Sequence, residues 1–184
     1  MQTPSLVKLA TRWADSLGFT NSCLDAVGVL LHVLAGVIPS GRIADIGTGC
    51  GVSTAWIASA TSLAVFTIDN EPSRADGIRD LFVGYDHVHP ILGDWQDILQ
   101  HGPFRLVFVD AQPAKVAGVD VLVQATEVGG LLVLDDFTPI EFWPDEWQRR
   151  PDPVREAWLN HPQLASTEVR TSLKVSSILA RRMA

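Results

Sequence analysis

The sequence predicts a doubly wound, Rossmann-like α/β fold, a mostly parallel seven-stranded sheet finished by a C-terminal antiparallel hairpin. Three observations predict it. Short, near-continuous apolar runs alternate with helical patterns, as expected of parallel strands buried on both faces. A glycine-dense turn, GTGCG, joins the first of these runs to a helix. The closing stretch STEVRTSLKVSSILAR reads as two strands about a short turn, which suits a sheet edge.

The elements follow in order. Leu6, Leu9, Trp13 and Leu17 recur at helical spacing, as do Leu24, Val27, Leu31 and Leu34, giving two helices within residues 1–40. A first strand covers residues 42–46. LAVFTID (63–69) reads as a strand, PSRADGIRDLF as a helix and VHPIL (88–92) as a short strand. DWQDILQ gives a brief helix and RLVFVD (105–110) a buried strand. AKVAGVDVLVQATEV reads as one helix, followed by the strand GLLVLDD (130–136). After Asp136 the texture changes. The stretch from Phe137 to Pro162 carries five prolines and three of the six tryptophans, so it reads as a broken segment with a short helix near Val154–Asn160. No repeat or linker interrupts the chain. It is read as one domain, with helices at 1–40, a cofactor-binding core at 41–137, a substrate-side segment at 138–165 and an edge hairpin at 166–184.

Composition narrows the function. The chain has 184 residues, 47% of them hydrophobic, enough for a full core. A net charge of -7 repels phosphate backbones, so nucleic acid is disfavoured as a partner, and a small neutral or cationic substrate is expected. Two cysteines form no disulfide framework, and the five histidines show no metal-binding spacing. The start of the chain has no signal-peptide pattern and no apolar run is long enough to span a bilayer. A cytoplasmic protein without membrane partners is the expectation, and a homodimer is compatible with it.

The turn then selects a ligand. Gly47, Gly49 and Gly51 fall on alternate positions, one residue short of the dinucleotide fingerprint, and no Lys-Ser or Lys-Thr follows to make a phosphate loop. With no cation in the turn, a polyphosphate is disfavoured. Asp69 ends the second strand twenty residues after Gly49, where an acid accepts hydrogen bonds from ribose hydroxyls. Asp45, two residues before Gly47, is placed to face an ammonium group. Ser53 opens the next helix, where it can meet a carboxylate. A ligand with a ribose, no phosphate and an amino acid tail satisfies all of these, and S-adenosylmethionine is such a ligand. Its passage over the turn would explain three missing side chains.

On these residues the sequence resembles the class I S-adenosylmethionine-dependent methyltransferases, in particular the catechol O-methyltransferase-like group. IADIGTGCGVST looks like the first motif of that class and FTIDN its second. ILGDWQDIL is similar to the segment that covers the adenine, which implies contacts from Asp94, Trp95 or Gln96. The candidate cofactor residues are thus Asp45, Gly47, Thr48, Gly49, Ser53, Asp69, Asn70, Asp94, Trp95 and Asp110. FRLVFVDAQPAK and GGLLVLDDF resemble the fourth and fifth strands of the O-methyltransferase group, whose acids hold a divalent metal, usually Mg2+. The chain departs from that pattern twice. Asp136 stands where the group has Asn, and Pro113 where it has the catalytic lysine, with Lys115 two positions further on.

Independently of the resemblance, Asp110, Asp135 and Asp136 close two strands that should be neighbours. Three carboxylates there repel one another unless a cation joins them, and oxygen donors suit a hard ion. The candidate metal set is Asp110, Asp135 and Asp136, and the candidate catalytic residues are Lys115 and Asp110. A basic role for Lys115 requires desolvation. The same acids can instead be ordinary caps. Trp143, Trp147 and Trp158 lie where an acceptor should enter, although at least two of them are expected only to pack. The resulting expectation is O-methylation of a small molecule. Its rivals are a metal-independent N-, S- or O-methyltransferase, an aminopropyl transferase and a non-catalytic cofactor-binding module.

Overall fold

The computed structural model describes residues 2–184. Two helices, α1 (Ser5–Ser16) and α2 (Asp25–Val37), precede the sheet. Then come β1 (Arg42–Ile46), α3 (Val52–Ala58), β2 (Ala64–Asp69), α4 (Ala75–Leu81), β3 (Val88–Leu92) and β4 (Phe104–Val109). The chain continues through α5 (Gln112–Ala117), α6 (Val119–Ala125), β5 (Thr126–Phe137), α7 (Pro153–Leu159), β6 (Leu164–Arg170) and β7 (Ser176–Arg182). The seven strands lie in the order β3-β2-β1-β4-β5-β7-β6. β1 to β5 pair in parallel, and β7 runs antiparallel to both β5 and β6. The predicted sheet and edge hairpin are both present.

Burial on both faces explains the continuous apolar strands. Ile43, Val65, Leu106, Phe108 and Val133 face the layer of α1 to α4, while Ala44, Ile68, Val107, Val109 and Leu132 face α5 to α7. The chain turns outward on both sides of β1, which pairs with β2 on one edge and β4 on the other. That reversal opens a crevice beyond the carboxyl ends of β1 and β4, where ligands of this fold class bind.

Three local readings differ from the structure. The core face of α1 is Leu6, Val7, Ala10 and Ala14, whereas Leu9 and Leu17 are exposed. Small alanines let α1 approach closely, and Trp13 closes the contact by lying over Gly77, where an added Cβ would sit 2.3 Å from the indole. The helix read across residues 114–128 breaks at Gly118 and stops at Ala125. The strand therefore begins at Thr126, and its register on β4 shifts between Phe104 and Leu106. The brief helix after Asp94 is a 3-10 helix, Trp95–His101, closed by a reciprocal cap between Asp94 and Asp97. Among the described residues no helix is long and apolar enough to cross a membrane.

Candidate active site

The turn after β1 is shaped first by the protein itself. Gly47 (φ 106°) and Gly51 (φ 78°) adopt left-handed backbone that only glycine enters readily. A Cβ on Gly47 would sit 3.0 Å from the Ala111 nitrogen, and one on Gly51 would sit 2.8 Å from Leu81 Cδ2. The sequence reading assigned all three gaps to a passing ligand. Backbone conformation and neighbouring protein atoms account for them, and only Gly47 and Gly49 border the crevice.

That crevice is a cavity of about 520 Å3. Asp69, Asn70, Asp94 and Trp95 line one end, Gly47, Thr48, Gly49 and Ser53 the middle, and Asp110, Asp135 and Asp136 the other end. Gln96 does not border it. Sequence reasoning missed two features. The segment Phe19–Leu24, between α1 and α2, forms another wall of the cavity, and Arg74 enters from the 3-10 turn Pro72–Arg74 after β2. No periodicity marks a loop that docks from elsewhere. Arg74 had a local signal, a cation five residues beyond Asp69.

Asp69 is held from several sides. Its Oδ2 accepts the Gly49 N–H at 2.8 Å, and its Oδ1 accepts the Glu71 N–H and the Arg74 guanidinium, each at 2.9 Å. At the adenine end of the reading, Asp94 caps the following helix through the Gln96 N–H at 3.0 Å.

Asp45 lies elsewhere than the sequence placed it. It is 0% exposed and does not line the cavity, so it reaches the site only through Ser53. Its Oδ2 accepts hydrogen bonds from Ser53 Oγ at 2.9 Å and from the hydroxyls of Thr54 and Thr67, while Oδ1 has no partner. Burial pushes its pKa from 3.8 up to about 6, against the opposing pull of the three hydroxyls. A carboxyl whose folded pKa is raised holds its proton longer in the folded state, so stability falls as pH rises from the unfolded value through the folded one. For Asp45 that window is pH 4 to 6, and the loss is on the order of 3 kcal/mol. Urea unfolding of the ligand-free protein across pH 4–8 should therefore show a decline that Asp45→Asn reduces. Identical pH slopes in the two proteins would refute this account of Asp45.

The acid cluster does assemble. Asp110, Asp135 and Asp136 each bring one carboxylate oxygen within 4.8 Å of the others. Asp136 is the only non-glycine among the described residues with positive φ, at 60°, a conformation that Asp tolerates better than most residues. Ser177 Oγ donates to Asp135 Oδ1 at 2.7 Å. Burial, then the Asp136 charge, raises the Asp110 pKa to about 7 although Lys115 opposes the shift, and burial also raises that of Asp135. Three crowded carboxylates of hard oxygen donors fit a divalent cation such as Mg2+.

Lys115 is buried against this cluster. Its Nζ donates to the Asp135 carbonyl at 2.9 Å and lies 3.9 Å from Asp110 Oδ1. It lines a second cavity, of about 590 Å3, together with Asp136, Phe142, Trp143, Trp147 and Arg150. Of the three tryptophans in this region only Trp158 is fully buried, its indole N–H donating to the Lys115 carbonyl at 2.9 Å. Trp143 and Trp147 border the second cavity, one more than the sequence reading allowed.

Known proteins resemble this chain in sequence and fold. The family described as Methyltransferase domain matches residues 44–137, from β1 through β5. A protein of Mycolicibacterium smegmatis, named among the O-methyltransferases, is 33% identical over 144 residues, covering 71% of this chain and 66% of its own. A catechol O-methyltransferase of Mycobacterium tuberculosis is 33% identical over 118 residues, covering 59% of this chain and 54% of its own. The aligned region thus spans two thirds or less of these relatives' length. Among solved structures, the O-methyltransferase of Bacillus cereus in complex with SAH shares the fold at TM-score 0.79 and 17% identity, covering 100% of this chain and 93% of that one.

Proposed function

From the premise that the chain belongs to the class I S-adenosylmethionine-dependent methyltransferases, we propose that it transfers a methyl group from S-adenosylmethionine to an oxygen of a small-molecule acceptor. The observation that carries this reading is one continuous cavity running from Asp69 to the Asp110, Asp135 and Asp136 cluster. Asp69 and Asn70 would hold the ribose of the cofactor, Asp94 and Trp95 its adenine, and Gly47–Gly49 its amino acid portion. Ser53, oriented by Asp45, would meet the amino acid end. The acceptor enters through the second cavity, between the tryptophans and Asp136. When bound, the cofactor would supply the methyl group from its sulfur, leaving a thioether, to the acceptor oxygen, whose proton would pass to solvent, or to Asp110 where no metal is bound. Holding oxygen, carbon and sulfur collinear supplies much of the rate.

Asp110, Asp135 and Asp136 would hold the divalent ion, whose chemistry is to lower the pKa of an acceptor hydroxyl and orient its oxygen. Lys115 holds two of these acids in place, through the Asp135 carbonyl and the Asp110 carboxylate. These are donor contacts. They favour a charge-balancing clamp over the base that the sequence suggested. The same lysine favours a second reading, metal-independent transfer, because it offsets part of the cluster's charge without any ion and leaves Asp110 to take the proton.

Chelation separates the two. After EDTA, calorimetric binding of S-adenosylhomocysteine should persist, while methylation of a vicinal diol acceptor should fall at least about 100-fold and return with Mg2+. Undiminished turnover after EDTA would select the metal-independent reading. Binding without turnover across a broad acceptor panel would select a cofactor-binding module.

A further inference from the structure

We propose that Arg74 is a positioning residue that fixes Asp69 for the ribose and ties it to the glycine turn. The inference rests on the cofactor reading above and adds a role for a residue outside the motifs. Arg74 closes a ring of contacts. Gly49 N–H donates to Asp69 Oδ2 at 2.8 Å, Arg74 Nη2 donates to Asp69 Oδ1 at 2.9 Å, and Arg74 Nε donates back to the Gly49 carbonyl at 3.2 Å. The planar guanidinium makes these bonds from two nitrogens held in a fixed geometry, which the single nitrogen of an ammonium cannot reproduce. Its face lies 5.2 Å from the centre of the Phe19 ring, so the same side chain also braces the wall that the N-terminal loop sets over the turn. Phe19 in turn sits where a Cβ on Gly49 would come within 3.2 Å.

Charge makes this placement informative. The cavity lining holds five acids, Asp69, Asp94, Asp110, Asp135 and Asp136, and Arg74 as its one arginine, with no lysine. A free guanidinium would repel a sulfonium ligand. Paired to Asp69 at 22% and 18% side-chain exposure, it instead leaves the carboxylate oriented, with one lone pair on Oδ2 still available. The Gly49 and Glu71 N–H groups are main-chain donors, so Arg74 is the one side-chain donor that substitution removes cleanly.

The test reads ribose recognition directly. Calorimetry compares S-adenosylhomocysteine with its 2′,3′-dideoxyribose analogue in the wild type, Arg74→Ala and Arg74→Lys, with thermal unfolding run on each. The wild type should prefer the hydroxylated nucleoside by about 100-fold, as one hydrogen bond to a charged carboxylate can give. Arg74→Ala should cut that preference by about tenfold or more, and Arg74→Lys should recover only part of it. Arg74→Gln, which is two bonds shorter and keeps a neutral donor only at the position of Nε, is the substitute if the alanine variant unfolds, and it should also cut the preference. An unchanged preference in a folded variant overturns the role of Arg74 while leaving the cofactor reading intact. A wild type that binds neither nucleoside overturns both.

Discussion

Asp110→Asn is expected to reduce methyl transfer at least about 1000-fold while changing S-adenosylhomocysteine affinity by no more than about threefold. The separation follows from where Asp110 stands. It directly follows β4 at the far side of the cavity from Asp69, and its carboxylate meets Asp135, Asp136 and Lys115. Removing its charge takes away either an oxygen donor to the cation or the proton acceptor of the metal-free reading, each worth several kcal/mol in the transition state. The fold should not suffer. Asp110 is crowded by burial and by Asp136, so a neutral isostere relieves repulsion there, and the thermal midpoint should hold or rise. Kinetics and calorimetry on the same preparation check the split. A loss of affinity as large as the loss of turnover would place Asp110 among the cofactor contacts and remove it from the chemistry.

Much of this site could be read from the sequence because strand ends are legible. Parallel strands buried on both faces appear as unbroken apolar runs, so the polar residue that stops each run marks the rim of the sheet. Asp69, Asp110 and Asp135 were found that way, and all three line one cavity. Asp45 breaks the rule. It occupies the interior of β1, and its carboxylate is tolerated there because three hydroxyls from α3 and β2 surround it. Nothing along the chain announces hydroxyls that gather from two elements. The buried face of α1 was left open by the sequence for a related reason. Leucine spacing marks a helix, but which side is buried depends on what packs there, and α1 turns Ala10 and Ala14 inward while Trp13 lies over Gly77. Residues 126–128 fit the periodicity of the preceding helix, and only pairing with β4 makes them strand. The loop Phe19–Leu24 was invisible because its role arises from docking between distant segments, whereas Arg74 had its nearness to Asp69 as a local signal.

Asp69→Ala should weaken cofactor binding about 100-fold, the largest effect expected on affinity. Two terms add. The ribose loses a charged acceptor, at roughly 1.5–3 kcal/mol per hydrogen bond. Arg74 also loses its partner and is left as an unpaired cation lining the cavity. The second term depends on the ligand, because S-adenosylmethionine carries a sulfonium charge that S-adenosylhomocysteine lacks. Partly screened repulsion between two cations a few ångströms apart is on the order of 1 kcal/mol, about fivefold in affinity. Arg74→Ala should therefore weaken binding when made alone, yet partly restore S-adenosylmethionine binding in the Asp69→Ala background, with little benefit to the neutral thioether. Asp69→Asn keeps an acceptor for the turn and serves as the folding control. If the two substitutions simply add, for both ligands, Arg74 and Asp69 act independently and the ring of contacts they form with Gly49 has no bearing on the nucleoside.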